Sequence, residues 1–417
     1  MSETLIGQIP EHWETLSLGE LCTRGGGDIQ TGPFGSQLHA SDYVRVGIPS
    51  VMPQNIGDNV IIEDGIARIS PEDAKRLKRY LLAPGDIVYS RRGDVQRRAL
   101  VRAEQSGWLC GTGCLRIRLG TGANSRFLSY YLSHPEVRSY IVRHAIGATM
   151  PNLNTQILSA VPVVLPPRPV QQAIAVTLGA LDDKIAVNER VAATALELAG
   201  AHYAGAASRW RDARPVPLGE AARWLSGGTP KTSEPKYWNG QVPWISASSL
   251  HLPWIDDSPR KLTSIGVENG TRAVPAETII FIVRGMSLKS EFRIGITQRE
   301  VAFGQDCKAL IANQGIDPYF LFYSIRRRTV EVLKMVDEAG HGTGRLQSDR
   351  LARLIIPVPD SEEQEEITAR LRPLSELSAT RQRESGVLVE LRDTLLPKLI
   401  SGELRMRDAE RAVEETV

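Results

Sequence analysis

The chain has 417 residues, 42% hydrophobic and 24% charged, with a net charge of +2. That is ordinary folded-protein composition in a length that exceeds one hydrophobic core, which leaves two domains plus connecting elements as the default. The most apolar stretch, residues 158–165, is short and carries Pro162, so no membrane-spanning helix is read. The first residues hold Glu3 and no basic cluster, so no signal peptide is read and a cytoplasmic location is expected.

In chain order, the first body reads as short apolar runs punctuated by Gly and Pro, which indicates strands and turns. Gly85 and Asp86 turn into a strand through Ile87, Val88, Tyr89 and Ser90 that ends at Arg91, Arg92 and Gly93. A second strand-like run covers 113–119, a helix is predicted over 126–144, and a β-like run over 160–166 closes the body. Helical spacing then runs from Gln171 through Ile174, Leu178, Leu181, Ile185, Ala192, Ala195 and Ala199, alternating four and three apart like a coiled-coil seam. Asn188 falls in that seam, where a buried amide would fix register at some cost in stability, or would sit on a solvated edge.

The same order then returns. Leu153, Leu158, Pro166, Gln171 and Ile174 recur 193 positions later as Leu346, Leu351, Pro359, Gln364 and Ile367. The second body repeats the strand through Ile279, Ile280 and Phe281 to Arg284 and Gly285, a strand-like run at 306–312, a helix predicted over 318–336, and a closing run at 354–359. Its helix opens at Ser361 with Glu362 and Glu363, which suits the helix dipole. The seam runs through Ile367, Leu371, Leu374, Leu388, Leu391 and Leu395 until Pro397 is expected to break it. A period near 193 is far longer than a solenoid repeat and describes two domain-sized units. The expected bounds are 1–167 and 213–359 for the two bodies, with helical regions at 168–212 and 360–412.

Four cysteines make no disulfide framework, and no histidine pair has zinc-ligand spacing. Cys114 and Cys307 stand at equivalent repeat positions in strand-like runs and are expected to be buried structural thiols. There is no phosphate-binding loop ending in Gly-Lys-Ser/Thr, no aminomethyltransferase-like run, no histidine triad and no metal or cofactor site in the pattern. A binding protein is favoured over an enzyme, with no catalytic residue, metal or cofactor assigned.

Charge is distributed unevenly. Residues 1–167 hold 17 Lys/Arg against 15 Asp/Glu and residues 214–360 hold 19 against 15, whereas 361–417 hold 9 against 13. Basic bodies beside acidic or neutral helices point to a polyanion for the bodies and protein partners for the helices. The candidate DNA contacts of the first body are Arg91, Arg92, Arg97 and Arg98, in one turn-like segment where they can point together. Those of the second are Arg284, Lys289 and Arg293 at the equivalent turn, with Lys231. A second paired element, running from Gly147 to Asn154 and from Gly342 to Gln347, adds Thr149, Asn152, Asn154, Thr343 and Arg345 as phosphate or base donors. A loop capped by short polar side chains is an equal reading of that element.

These residues resemble the specificity subunits of Type I restriction-modification systems over essentially the whole chain. The resemblance rests on Ile9, Pro10, Glu11, His12 and Trp13 at the start, and on Gly228, Thr229 and Pro230 followed by Tyr237, Trp238, Asn239 and Gly240. Val242, Pro243 and Trp244 continue that motif, and the run from Leu395 to Leu404 resembles the family's distal helix end. The first body departs from the pattern with Gly32, Pro33, Phe34 and Gly35. The resemblance implies an α/β (α+β) fold: two duplicated target-recognition domains separated by a long antiparallel helical coiled-coil pair. It implies double-stranded DNA, two methyltransferase subunits and translocase-nuclease subunits as partners. On that reading the chain is non-catalytic and aims its partners at a bipartite site. The rivals are an enzyme in its own right and a DNA-binding scaffold or repressor without restriction partners.

Overall fold

The computed structural model describes residues 2–147, 151–339 and 342–414. They form two compact units, Met1–Ala186 with Gly386–Val417 and Val187–Ser385. The fold is mixed α/β with duplicated bodies. Each unit contains one body and one end of each of two long helices, Arg168–Ala207 and Ser361–Ser401.

Both bodies are built on a five-stranded sheet of the same order. In the first it runs Asp28–Thr31, Cys114–Arg118, Ile87–Ser90, Arg98–Leu100, Asp58–Asn59, and in the second Ala222–Ser226, Cys307–Ala312, Ile279–Ile282, Ile294–Thr297, Trp254–Ile255. The central strands are buried at every position, which is why they read as continuous apolar runs rather than alternating ones. In each body an early strand also pairs with the closing one, Glu14–Ser17 with Pro162–Leu165 and Arg214–Pro217 with Ile355–Val358. The duplication extends into the smaller four-stranded sheets. In the first body Ile48–Val51 lies between Leu109–Cys110, parallel to it, and Ala67–Ile69, antiparallel to it, as in the second Trp238–Ile245 lies between Val301–Phe303 and Lys261–Leu262. Only the fourth strand differs, Tyr43–Val44 beside Ala67–Ile69 in the first and Ala273–Val274 beside Val301–Phe303 in the second.

The predicted helix over 126–144 is two helices. Ser125–Tyr131 is capped by the Asn124 side chain, and Pro135–His144 starts afresh because Pro135 has no N–H to continue the ladder. The helix predicted over 318–336 is likewise Pro318–Arg326, capped by Asp317, then Thr329–Leu333, and Val336 belongs to the strand Val336–Ala339. All four cysteines are free and buried. Burial pushes the Cys22, Cys110 and Cys307 thiols up to about 12, so they are inert packing residues.

The second long helix runs past its sequence signal. Ser361–Ser401 does not break at Pro397. Leu395, Leu396, Leu399 and Ile400 are buried around it, and burial worth roughly 1.5–3 kcal/mol per side chain outweighs the roughly 3 kcal/mol of an interior proline. The seam gap between Leu374 and Leu388 is filled by small residues: Ser375, Ser378, Ala379 and Ser385 are all buried. Ser378 Oγ donates to the Ala192 carbonyl at 2.7 Å and accepts the Trp254 indole N–H at 2.8 Å. Small hydroxyls bonded to backbone let helix axes approach where leucines would not fit. Asn188 is buried at 1% exposure, and its amide nitrogen has no partner among the described residues.

Candidate nucleic-acid interface

The arginine turn and the glycine-rich element, distant in sequence, lie side by side in both bodies. In the first, the Leu153 N–H donates to the Arg91 carbonyl at 2.8 Å, and Arg92 pairs with Asn152. In the second, the Leu346 N–H donates to the Val283 carbonyl at 2.9 Å, and Arg284 pairs with Arg345 in an antiparallel ladder with Gly285 opposite Gly344. Leu153 and Leu346 are 193 apart and Arg92 and Arg284 are 192 apart, so the same backbone arrangement has been made twice. It carries an exposed arginine each time, Arg92 and Arg284.

In the second body this arrangement borders an open cleft of about 570 Å³. Its lining includes Arg284, Lys308, Arg345, Gln305 and Gln347, with Asp306 beneath. Guanidinium forks suit phosphate or guanine edges, and carboxamides suit adenine edges. Lys308 and Gln305 carried no sequence signal, since each belongs to a buried strand or its approach and is turned into the cleft only by sheet pairing. Gln347 lies at the end of the glycine-rich element.

Several sequence candidates stand elsewhere. Arg98 does not point with its neighbours: it is 2% exposed, its Nε donates to the Ser129 carbonyl at 2.9 Å, and its guanidinium pairs with Asp58 at 3.3 Å. It lies on the strand Arg98–Leu100, whose alternation turns it inward. Arg97 is exposed but paired with Asp94 at 3.2 Å, and Arg91 is half-buried with its guanidinium over the Phe34 ring. Asn154 caps the helix Thr155–Ser159, where its side-chain oxygen accepts the Ile157 N–H at 2.8 Å; the capping reading of that residue holds. Thr149 lies outside the described residues.

Lys289 pairs with Glu338 at 3.2 Å, and Thr343 is half-buried in the strand Thr343–Leu346. Arg293 pairs with Glu291 at 2.8 Å and lines a different cavity, of about 360 Å³, beside Arg326. Lys231 is exposed on the loop before Trp238 and does not line the Arg284 cleft. Its carbonyl accepts the Trp238 indole N–H at 3.1 Å, while the Trp244 indole donates to the Gly228 carbonyl at 3.1 Å. The Arg260 guanidinium stacks on both indoles, 3.7 and 4.8 Å from the ring centroids. A Cβ on Gly228 would stand 2.1 Å from the Gly270 carbonyl, so only glycine fits. The Gly-Thr-Pro and Tyr-Trp motifs therefore hold one loop assembly together. Among the described residues, no three or more His, Cys, Asp or Glu side chains gather as metal ligands, and no helix is long and apolar enough to cross a membrane.

The family described as the Type I restriction modification DNA specificity domain matches residues 10–196 and again residues 211–387. The chain belongs to this family. Its two matches coincide with the two sequence repeats, so the duplication is of whole specificity domains. The Type I restriction enzyme EcoR124I/EcoR124II specificity subunit of Escherichia coli is 30% identical over 152 residues, 36% of this chain and 38% of that one. The MjaIX specificity subunit of Methanocaldococcus jannaschii is 22% identical over 433 residues, covering 97% of this chain and 96% of its own. The fold is that of the S subunit from M. genitalium, with a TM-score of 0.60 at 18% identity, over 94% of this chain and 98% of that structure.

Proposed function

We propose that this specificity-family chain is the DNA-reading subunit of a Type I restriction-modification complex. It binds double-stranded DNA at two short sequences, one per body, and directs two methyltransferase subunits and the translocase-nuclease subunits to that site. The observation that carries this reading is the repeated pairing of an exposed arginine turn with a polar strand, Arg92 with Asn152 and Arg284 with Arg345, on sheets of one order. The smaller sheets share three strands but differ in the fourth, Tyr43–Val44 in one body and Ala273–Val274 in the other, which fits a common scaffold reading different half-sites.

The chain itself contributes no chemistry on this reading. Its thiols are buried, and the cleft, where guanidinium, ammonium and carboxamide groups stand with Ser348, Asp306 and Asp349, offers donors and acceptors suited to phosphates and base edges. The assembly that co-purifies with the tagged chain should methylate adenines in a bipartite sequence with unread bases between its halves, as mapping of methylated bases in host DNA would show. The isolated chain should neither methylate nor cut. A methylation map unchanged on deleting the chain's gene contradicts the proposal, and specific DNA binding without co-purifying enzymes would favour a scaffold or repressor.

A further inference from the structure

We infer that Phe34 is an aromatic wedge that enters the duplex at the half-site read by the first body, with Arg91 behind its ring facing the neighbouring phosphate. This rests on the DNA-reading function proposed above and adds to it a residue and a mode of contact. Phe34 is 53% exposed, although a phenyl ring gains by burial. Its loop is not a loose one. The Gly32 N–H donates to the Cys114 carbonyl at 2.9 Å, and a Cβ on Gly32 would lie 2.1 Å from the Gly111 carbonyl, so the loop base is pressed against the sheet.

The loop tip is tied as firmly. The Phe34 N–H donates to Gln37 Oε1 at 3.2 Å, and the Tyr80 hydroxyl donates to the same oxygen at 2.8 Å. The Gln37 N–H returns to the Phe34 carbonyl at 2.8 Å, and Arg76 Nη1 donates to the Gln37 carbonyl at 2.7 Å. These bonds fix the backbone and hold the ring outward.

Beside the ring stands Arg91, its guanidinium 5.6 Å from the ring centroid. No ion pair joins Arg91 to a carboxylate among the described residues, and its Nε is buried without an acceptor. The adjacent Arg92 pairs with Asn152, so Phe34 belongs to the same surface as the arginine turn. A rigid, exposed ring beside an uncompensated cation is the arrangement with which proteins open a base step: the ring stacks on a base and the cation offsets the phosphate brought near by the kink.

The test uses the tagged chain in the assembly that co-purifies with it, and a duplex carrying its mapped methylation sequence. 2-Aminopurine is placed in turn at each position of each half-site. Away from the methylated adenines, which a methyltransferase turns out of the stack in any case, the wild type should raise its fluorescence at one step of one half-site. Phe34→Ala should abolish that rise and weaken binding about tenfold or more, while Phe34→Tyr keeps both, with melting temperatures showing that each variant folds. If Phe34→Ala fails to fold, ultraviolet cross-linking of the wild type to bromouracil at the same step should place the adduct on Phe34. An unchanged signal and affinity for Phe34→Ala, an adduct elsewhere, or no opened step in the wild type overturns the wedge. Failure of the wild-type assembly to bind the duplex at all strikes the functional reading instead.

Discussion

Arg284 and Arg345 face one another across an antiparallel strand pair, two like charges where a sheet ordinarily places opposite ones. Directly opposed like charges destabilise a sheet by a few tenths of a kcal/mol to about 1 kcal/mol. No ion pair to either arginine relieves them among the described residues, so the pair fits an anion that comes from outside. Replacing Arg345 with Gln should leave the melting temperature unchanged or raise it, while weakening DNA binding by about 1–3 kcal/mol. A base contact would relax one half-site only; a phosphate contact would lower affinity for all sequences and reduce its salt dependence. Lower stability with unchanged binding would assign the pair to the fold.

Arg92 and Arg98 are six residues apart and should behave oppositely. Arg92→Ala should weaken DNA binding by about 1–3 kcal/mol with little effect on stability. Arg98→Ala removes a buried guanidinium with its bonds to Ser129 and Asp58, and should cost about 2–5 kcal/mol of stability. Urea unfolding and DNA titration of both variants separate the two effects. In the second body the register places Ile294 opposite Phe281 where Arg98 stands opposite Tyr89, so the position needs filling rather than charge.

Acid should loosen the first unit through Asp58. Burial pushes its carboxyl up, but Arg98, Arg138 and Arg392 around it hold it below the ordinary aspartate value. A carboxylate with a depressed folded pKa stabilises fully above its unfolded value of about 3.9, and that stabilisation is lost as pH falls through the lower folded value. Asp58→Asn should therefore flatten the fall in melting temperature below about pH 4. Parallel pH curves for variant and wild type would remove Asp58 from the account.

Asn188 is buried in the helix seam with an unpartnered amide nitrogen. A buried donor left unsatisfied costs about 1–3 kcal/mol, so Asn188→Leu should raise thermal stability. If the amide also fixes register, as seam asparagines can, the same variant should give heterogeneous amide-exchange protection along the helix. A destabilised variant would point to a partner for the amide in the native assembly.

The helix Arg168–Ala207 offers a test of the bipartite reading. Four residues inserted between Gln171 and His202 lengthen it by about 6 Å and rotate the chain beyond the insertion by about 40°, a rise near two base pairs. Methylation mapping should then show the unread spacer longer by one or two base pairs and both half-sites unchanged. Full activity with the original spacer would mean that helix length does not set the distance.

The sequence by itself determined the duplication, the central strands, the buried thiols and both long helices, because burial on two faces and a seam both leave a periodic apolar record. It also carried the family, through motifs such as Gly228-Thr229-Pro230 whose spacing is set by close backbone packing. Only the tertiary structure decided which polar residues face outward. Strand alternation and neighbours turn Arg98 inward to Asp58, spend Asn154 on a helix cap, and bring Lys308 and Gln305 to the Arg284 cleft. The continuation of Ser361–Ser401 through Pro397 was decided there as well, by buried leucines whose partners come from distant parts of the chain. Local sequence records what a segment prefers; the direction of a long polar side chain depends on what packs beside it.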